Sequence, residues 1–370
     1  MREIDNDLAI NDLLDTMAAL DRGSRDFIQK EYNNFLLMNS TLAYNAGVYA
    51  KTDEEFTSKV EEKGHILKYG KKSVNDFIRT VAENQETLMS IGRHFNRFSN
   101  KIRFRNIPFL DVCRSFSEKE CEDIILSYYA TYGDKYYQIV KRYFDENRVN
   151  LGSIIKKEGL AGYYLYFLWL ESGFIYSKYS KHNSHTASLL AHEFGHVIDA
   201  ETFLFPQQKK IPIFSDIFLE VPSIAFEVGF YDYLKSQNID LNGGMILRNN
   251  RAASMLFGFY RIKNALSHED LLIYENGVAV DEEENAYDLR KDLIYGLGYD
   301  FGFHLSEIRK SSTEEYLRVL NNLITLRKEM TLDDAINMTG FNYNDFVNGR
   351  YIKEEIKKDC LTLKKRYNIL

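Results

Sequence analysis

Proline and cysteine are both scarce in this chain of 370 residues, and each scarcity excludes a class of protein. Only 4 prolines occur, which favours long helices because proline breaks helix interiors. The 3 cysteines are odd in number and have no Cys-x-x-Cys spacing, which argues against a disulfide framework and against a thiolate zinc site. Reduced thiols are typical of a cytoplasmic protein, and we expect that location.

An excess of positive charge and long apolar runs are also lacking. Lys and Arg number 47 against 54 Asp and Glu, for a net charge of -7, so the chain is a poor candidate for binding nucleic acid through a broad basic surface. The first residues, Met1 to Asp7, have no basic region followed by an apolar stretch, which argues against a signal peptide. The most apolar stretch, Gly162 to Leu170, is too short to span a bilayer. We therefore expect neither a nucleic-acid partner nor a membrane partner.

The residues that are abundant point to a globular and mainly helical protein. Hydrophobic residues make up 45% of the chain, and their spacing is close to the 3.6 residues of a helical turn over much of its length. Ser117 and Glu120 have the spacing of a capping box and predict the start of a helix. The segment 173–179 has the composition of a short strand, and the glycines in Asn242–Gly244 indicate a loop.

The segment His192-Glu193-Phe194-Gly195-His196 has the His-Glu-x-x-His pattern. Two histidines four residues apart lie on one face of a helix, so both imidazoles can bind one Zn²⁺ ion. Glu193 lies beside them and can take a proton from a zinc-bound water, whose pKa the ion lowers towards about 7. The alternative is a helix with two structural histidines, which would need polar partners among such apolar neighbours.

A third ligand must come from outside this motif, and two residues are candidates. Glu220 follows His196 by 24 residues, and Glu227 lies two helical turns further on the same face. Either carboxylate could bind the ion while the other supports a ligand histidine. Spacing alone does not separate them. Three of the prolines, Pro206, Pro212 and Pro222, lie between the His192/His196 helix and Glu227 and mark the connection that must turn back to bring a carboxylate to the metal.

The motif, followed by Glu-Val-Pro-Ser-x-x-x-Glu from Glu220 to Glu227, resembles the thimet oligopeptidase and oligoendopeptidase F family of zinc peptidases. The resemblance covers residues 100–365. It implies a mainly α, zincin-like (gluzincin) catalytic domain with a small β-sheet beside the active-site helix. It also implies one Zn²⁺ ion per chain held by His192, His196 and Glu220, with an oligopeptide as substrate. By the same resemblance, the strand at 173–179 is an edge strand to which an extended peptide adds.

The family stabilises the tetrahedral oxyanion with tyrosines or a histidine from a later segment rich in Gly and Tyr. Here that segment runs from Tyr295 to His304, and Tyr299 matches best, followed by Tyr295 and then His304. Phe303 and Ser306 stand where thimet-like members have tyrosines. An oxyanion donor needs an O–H or N–H group, which phenylalanine lacks. The alternative is that these aromatic residues are core residues of a tyrosine-rich protein.

Members of the family carry a large N-terminal helical part that covers the cleft, whereas about 100 residues precede the matched region here. We predict a shortened N-terminal helical lid over residues 1–100 and a metallopeptidase catalytic region over residues 101–370.

The predicted function is that of a cytoplasmic, zinc-dependent metalloendopeptidase that hydrolyses peptide bonds in short unstructured peptides. Two alternatives stay open. One is a specialised zinc hydrolase or protease that acts on one particular protein or modified peptide, which the short lid and Phe303 and Ser306 favour. The other is a catalytically inactive peptide-binding protein, which the intact motif and Glu220 argue against.

Overall fold

A computed structural model describes most of the chain from Arg114 to Arg366. The predicted N-terminal lid, apart from Met89, lies outside the described residues. The described residues are 89, 114–146, 148–151, 162–167, 172–177, 183–204, 218–268, 272–273, 278–280, 286–326, 331–348 and 350–366.

The described part of the chain is mainly helical, as predicted from the sequence. The helices are α1 (Glu118–Ala130), α2 (Asp134–Asp145), α3 (Ser184–Asp199), α4 (Val221–Ser236), α5 (Leu241–Leu266), α6 (Leu289–Ser311), α7 (Thr313–Leu326), α8 (Leu332–Met338), α9 (Tyr343–Asn348) and α10 (Arg350–Arg366). The strands are β1 (Val149–Asn150), β2 (Gly162–Phe167), β3 (Ser172–Ser177), β4 (Leu272–Ile273), β5 (Val278–Val280) and β6 (Ala286–Asp288). Within these ranges no helix combines the length and the apolar character that crossing a membrane requires.

Helix α1 begins at the predicted capping box. The Ser117 side chain accepts a hydrogen bond from the Glu120 backbone N–H, and the Glu120 carboxylate accepts one from the Ser117 N–H. Further along α1, the Tyr129 hydroxyl donates to the carbonyl oxygen of Ala191 at 2.7 Å. Because this phenol holds the backbone immediately before His192, α1 fixes the position of α3 against the core.

Helix α4 lies at the centre of the fold and packs against α3, α5 and α6. Every residue from Val221 to Tyr231 is buried, as expected of a helix that is surrounded on all sides. Glycines allow its N-terminal end to approach its neighbours closely. A Cβ atom at Gly195 of α3 would lie only 2.4 Å from the Cα of Ser223, and one at Gly298 of α6 would lie 3.2 Å from the Cβ of Glu220.

Strand β3 is the central strand of a three-stranded sheet with the order β1-β3-β2. It pairs antiparallel with β2 along its whole length and parallel with β1 at Ile175 and Tyr176. The expectation that this segment is an edge strand is therefore wrong, because β1 covers its second edge. Among the described strands β2 forms the opposite edge, and it packs against α3.

The glycines near position 243 do not form the loop that was predicted for Asn242–Gly244. Helix α5 already begins at Leu241, with Asp240 as its N-cap residue. The Asp240 carboxylate accepts the Gly243 N–H at 2.9 Å and a hydrogen bond from the Ser184 hydroxyl. The cap therefore joins the start of α5 to the start of α3.

Candidate metal centre and active site

Helix α3 carries the His-Glu-x-x-His motif in a buried position. Its N-cap residue Asn183 accepts the Thr186 N–H at 3.2 Å, and its residues are buried with the exceptions of His185 and His196, which are half-buried. The rings of His192 and His196 lie one helical turn apart, with centroids separated by 5.0 Å. The helix thus turns both imidazoles towards a common point.

Glu220 reaches that point from the N-cap position of α4. Its Oε2 atom lies 3.3 Å from Nε2 of His192 and 3.3 Å from Nε2 of His196. The Ser223 hydroxyl donates to the same oxygen at 2.8 Å and restricts the carboxylate. The three ligand atoms lie within 4.8 Å of one another, so these side chains could hold one metal ion.

Glu227 lies behind His192 rather than beside the point of convergence. Its Oε2 atom is 3.0 Å from Nδ1 of His192, and its side chain is fully buried. Its other oxygen, Oε1, accepts hydrogen bonds from the Tyr231 hydroxyl and from Nε of Arg251, the latter at 2.7 Å. Sequence spacing left open which of the two carboxylates could bind the ion. In the structure Glu220 has the position of a ligand, whereas Glu227 has the position of a residue that orients His192 through a hydrogen bond.

The charges around the two histidines favour a cation among them. Burial lowers the pKa of His192, but its hydrogen bonds with Glu220 and Glu227 outweigh burial and raise the pKa to about 10. Burial raises the pKa of Glu220, yet the nearby histidines hold it well below its usual range. The pKa of Glu227 is likewise lowered, to about 2, because Arg251, His192 and Tyr231 outweigh its burial.

The hydrogen-bonding chemistry of this donor set also fits a metal ion. The Glu227 carboxylate can only accept a hydrogen bond, so Nδ1 of His192 carries a proton, and when a metal ion displaces the second proton of the ring, Nε2 presents its lone pair to the ion. That lone pair faces Oε2 of Glu220 at 3.3 Å, and Nε2 of His196 faces the same oxygen. Atoms that converge in this way need a positive charge between them, which is either a proton or a metal ion, and a metal ion can contact all three at once.

His192, His196 and Glu220 are called the ligand group below. Glu193 lies next to their ligand atoms but does not belong to this group. It is only 5% exposed, and its carboxylate accepts no hydrogen bond from the described residues. Burial raises its pKa, against the opposing effects of His192 and His196. A buried carboxylate whose pKa is raised is a better proton acceptor than an exposed one, and this suits it to take up a proton.

Tyr295 and Tyr299 lie one turn apart on α6 but in different surroundings. Tyr295 is 37% exposed, and the negative charge of Glu220, with a smaller effect of Glu193, raises its pKa above the usual value. Tyr299 is buried, and the pKa of its hydroxyl is raised by burial and by Glu227. Its ring faces the Arg251 guanidinium at 6.0 Å. Both tyrosines are therefore close to the carboxylates of the site, with Tyr295 on its open side.

The structure does not bring His304 to this site. The residue is fully buried, stacks on Phe346 with ring centroids 4.3 Å apart, and packs against Phe341. Five residues beyond Tyr299, it is rotated by about 140° around the helix axis. Its expected role as an oxyanion donor does not fit this position.

Phe303 and Ser306 are both buried as well. The Ser306 hydroxyl donates to Oδ2 of Asp232 at 2.5 Å, so it takes part in packing α6 against α4 rather than facing the ligand group.

Sequence reasoning did not single out Arg251 or Tyr231. Tyr231 follows Glu227 by four residues, and that helical spacing is a signal that could have found it. Arg251 comes from α5, and only the packing of α5 against α4 places it at Glu227.

Comparisons with known proteins agree with this description at the level of the fold. No protein-family model matches the chain, and no curated protein matches it. Among solved structures, the fold resembles a crystal structure assigned to oligoendopeptidase F from Bacillus anthracis str. Ames, with a TM-score of 0.55 and 15% identity over 93% of this chain and 68% of that chain. It also resembles a 3.1 Å X-ray structure assigned to oligoendopeptidase F, with a TM-score of 0.51 and 12% identity over 86% of this chain and 71% of that one. The chain therefore has the fold of oligoendopeptidase F.

Proposed function

We propose that the protein is a zinc-dependent endopeptidase of the thimet oligopeptidase and oligoendopeptidase F family, which hydrolyses peptide bonds in short unstructured peptides. The observation that carries the proposal is the convergence of His192, His196 and Glu220 beside the buried carboxylate of Glu193. The shared fold supports the same function, since the constellation occupies the centre of that fold.

The spacing of the donor atoms supports zinc as the ion. Ligand atoms about 2.1 Å from a tetrahedral zinc ion lie about 3.4 Å from each other. The two Nε2···Oε2 separations of 3.3 Å match that value. Two imidazoles and one carboxylate form a ligand set of catalytic zinc sites, which keep a further position for water or substrate.

In this proposal two residues of the chain act together with the bound ion in the reaction. A bound Zn²⁺ ion would lower the pKa of water and polarise the scissile carbonyl group. The carboxylate of Glu193 takes the proton that water loses as it attacks the carbonyl carbon, and it then delivers this proton to the departing amine nitrogen. The phenolic O–H of Tyr295 donates a hydrogen bond to the carbonyl oxygen as negative charge develops there.

Strand β2 is the part of the fold best suited to orient the peptide. It packs against α3, and within the described residues only one of its edges is paired, with β3. An extended peptide can add to the other edge through backbone hydrogen bonds. Strand β2 thus takes over the role that the sequence assigned to the segment 173–179.

Three further assignments belong to the same proposal. Residues 101–370 form the catalytic region, residues 1–100 form the helical lid, and the enzyme acts in the cytoplasm.

The decisive experiment measures zinc content and peptide cleavage together. We expect one zinc ion per chain after dialysis, and cleavage of internal bonds in a mixed peptide library analysed by mass spectrometry. Glu193→Gln should keep the ion and lose at least about 100-fold in rate, the typical effect of removing a general base.

Each of the other possible results of this experiment indicates a different function. Zinc at one equivalent with an intact peptide library indicates an enzyme restricted to one protein or modified peptide. Peptide affinity without turnover indicates a binding protein. Absence of zinc together with equal activity of Glu193→Gln and the parent overturns the proposal.

A further inference from the structure

The Glu227 carboxylate is held from both sides. Oε2 faces Nδ1 of His192 at 3.0 Å, whereas Oε1 accepts hydrogen bonds from the Tyr231 hydroxyl and from Nε of Arg251 at 2.7 Å. Glu227 and Tyr231 are both fully buried. A carboxylate with two donors on one oxygen has little freedom to rotate, so its other oxygen keeps a fixed direction.

Arg251 supplies the part of this arrangement that does not come from α4. It is the only one of these residues that lies on α5, and its side chain is 26% exposed. Nε also lies 3.4 Å from the Tyr231 hydroxyl, so both donors contact each other as well as the carboxylate. The three side chains form what we call the Glu227 clamp: Glu227, Tyr231 and Arg251.

The clamp has a direct consequence for His192. A histidine that binds a metal ion is neutral, and a proton held on Nδ1 by Glu227 then leaves the lone pair on Nε2, the atom that faces Glu220. The same contact fixes the rotation of the ring about its bond to the helix. Supports of this kind orient ligand histidines in metal sites and increase their basicity.

We infer that Arg251 and Tyr231 are positioning residues that fix the metal-binding tautomer and orientation of His192 through Glu227. The inference rests on the proposed metal site and adds to it two residues that never touch the ion. Arg251 also compensates the negative charge of a fully buried carboxylate, which would be costly to leave unpaired.

The test measures metal affinity of the full-length protein instead of activity. Arg251→Gln removes the guanidinium, and Tyr231→Phe removes a single hydroxyl while keeping the buried ring. We expect each variant to bind Zn²⁺ about tenfold or more weakly in competition with a chromogenic chelator, the effect found when such supports are removed. The visible spectrum of the Co²⁺-loaded variants should also change, because that spectrum reports the geometry of the ligands.

Two control variants separate this effect from a general loss of stability. Arg261 lies on the same helix and pairs with the buried carboxylate of Asp292, so Arg261→Gln removes a comparable ion pair away from the site. Tyr316 is fully buried on α7, and Tyr316→Phe removes a comparable hydroxyl. Both controls should keep the parental zinc affinity and Co²⁺ spectrum.

The outcomes distinguish this inference from the proposed function. If His192→Ala binds zinc as tightly as the parent, the metal site itself is wrong. If His192→Ala loses zinc while Arg251→Gln and Tyr231→Phe behave like their controls, the site stands and the clamp is refuted. The inference also fails if the four variants lose zinc affinity in proportion to their loss of stability.

Discussion

At the scale of single residues, Tyr295 and Tyr299 of α6 carry the same phenolic hydroxyl group in very different surroundings. Tyr295 is partly exposed beside Glu220 and Glu193, whereas Tyr299 is buried beside Glu227 and Arg251. A donor to the developing oxyanion must reach the substrate. The exposed position of Tyr295 therefore makes it the better donor, although Tyr299 is the better match by sequence.

We predict that Tyr295→Phe lowers kcat by about 100-fold or more, the usual cost of removing an oxyanion donor, while zinc content stays unchanged. Tyr299→Phe serves as the matched control and should lower kcat by less than about tenfold, because its hydroxyl is buried behind the site. Steady-state kinetics on one fluorogenic peptide measures both. A greater loss in Tyr299→Phe than in Tyr295→Phe would reverse the assignment.

The ligand group shows what sequence could and could not predict about individual residues. The spacing of His192 and His196 requires only a helix, so their convergence follows from local structure. Glu220 and Glu227 lie on the same helical face, and only the approach of α4 to α3 shows which of them reaches both Nε2 atoms. Arg251 could not be found because no local pattern reports which residue of another helix meets Glu227.

At the scale of helices and strands, glycines set the distance between the three helices of the site. At Gly298 of α6, an added Cβ atom would lie 2.5 Å from Cδ1 of Ile224, 3.2 Å from the Cβ of Glu220 and 3.3 Å from its carbonyl oxygen. The Ile224 methyl group can move aside, but the backbone that carries Glu220 cannot do so without shifting the ligand. We therefore expect Gly298 to be required for the proposed metal site.

We predict that Gly298→Ala weakens zinc binding by about tenfold, since ligand positions in such sites tolerate shifts of only about 0.5 Å. Gly296 is two residues away on the same helix, and a Cβ atom there would meet only the Phe259 ring, at 3.3 Å or more. Gly296→Ala should therefore bind zinc normally. Chelator competition provides the measurement, and equal affinities of the two variants would contradict the role given to Gly298.

Sequence predicted the existence of helices and strands better than their arrangement. The capping box of α1 was predicted because its partners lie three residues apart. The central position of β3 was missed because it depends on β1, a strand of only 2 residues. The glycines at 243 and 244 indicated a loop, but the Asp240 cap and the packing of Gly244 against the Tyr231 carbonyl allow a helix there.

At the scale of the whole molecule, a buried ion-pair network joins the C-terminal helix α10 to the helices of the site. Arg248 of α5 is 2% exposed and pairs with Asp232 of α4 at 2.6 Å and with Glu355 of α10 at 3.1 Å. Nε of Arg248 also donates to Asp359 at 2.8 Å. Burial raises the pKa of Glu355, but Arg248 and Lys310 outweigh it and lower the pKa to about 2.

This shift predicts how stability depends on pH. Because the pKa of Glu355 is lower in the folded protein than its ordinary value of 4.5, its ion pairs stabilise the fold above that pH. The contribution is lost as pH falls towards about 2. We expect Glu355→Gln to lower the free energy of unfolding at neutral pH and to reduce its further decrease on acidification.

Urea unfolding in the presence of a metal chelator measures this effect without a contribution from pH-dependent metal binding, and comparison with the parent cancels the titration of the other groups. Glu314→Gln replaces an exposed carboxylate on α7 and should follow the parent at each pH. If the free energy of unfolding changes with pH in the same way for Glu355→Gln and the parent, the network does not stabilise the fold through this carboxylate.

The burial of His192, Glu193 and Glu220 limits what kind of substrate the proposed peptidase can accept. His192 and Glu220 are each 8% exposed and Glu193 is 5% exposed, so a scissile bond must enter the interior to reach them. We expect a single extended strand to reach these residues beside β2 more readily than the surface of a folded protein does. We predict that a denatured, alkylated protein is cleaved at internal bonds while its native form stays intact under the same conditions. Mass spectrometry of both digests, with Glu193→Gln as the control, measures the difference, and cleavage of the native form at an equal rate would show that the site opens far more widely than this structure does.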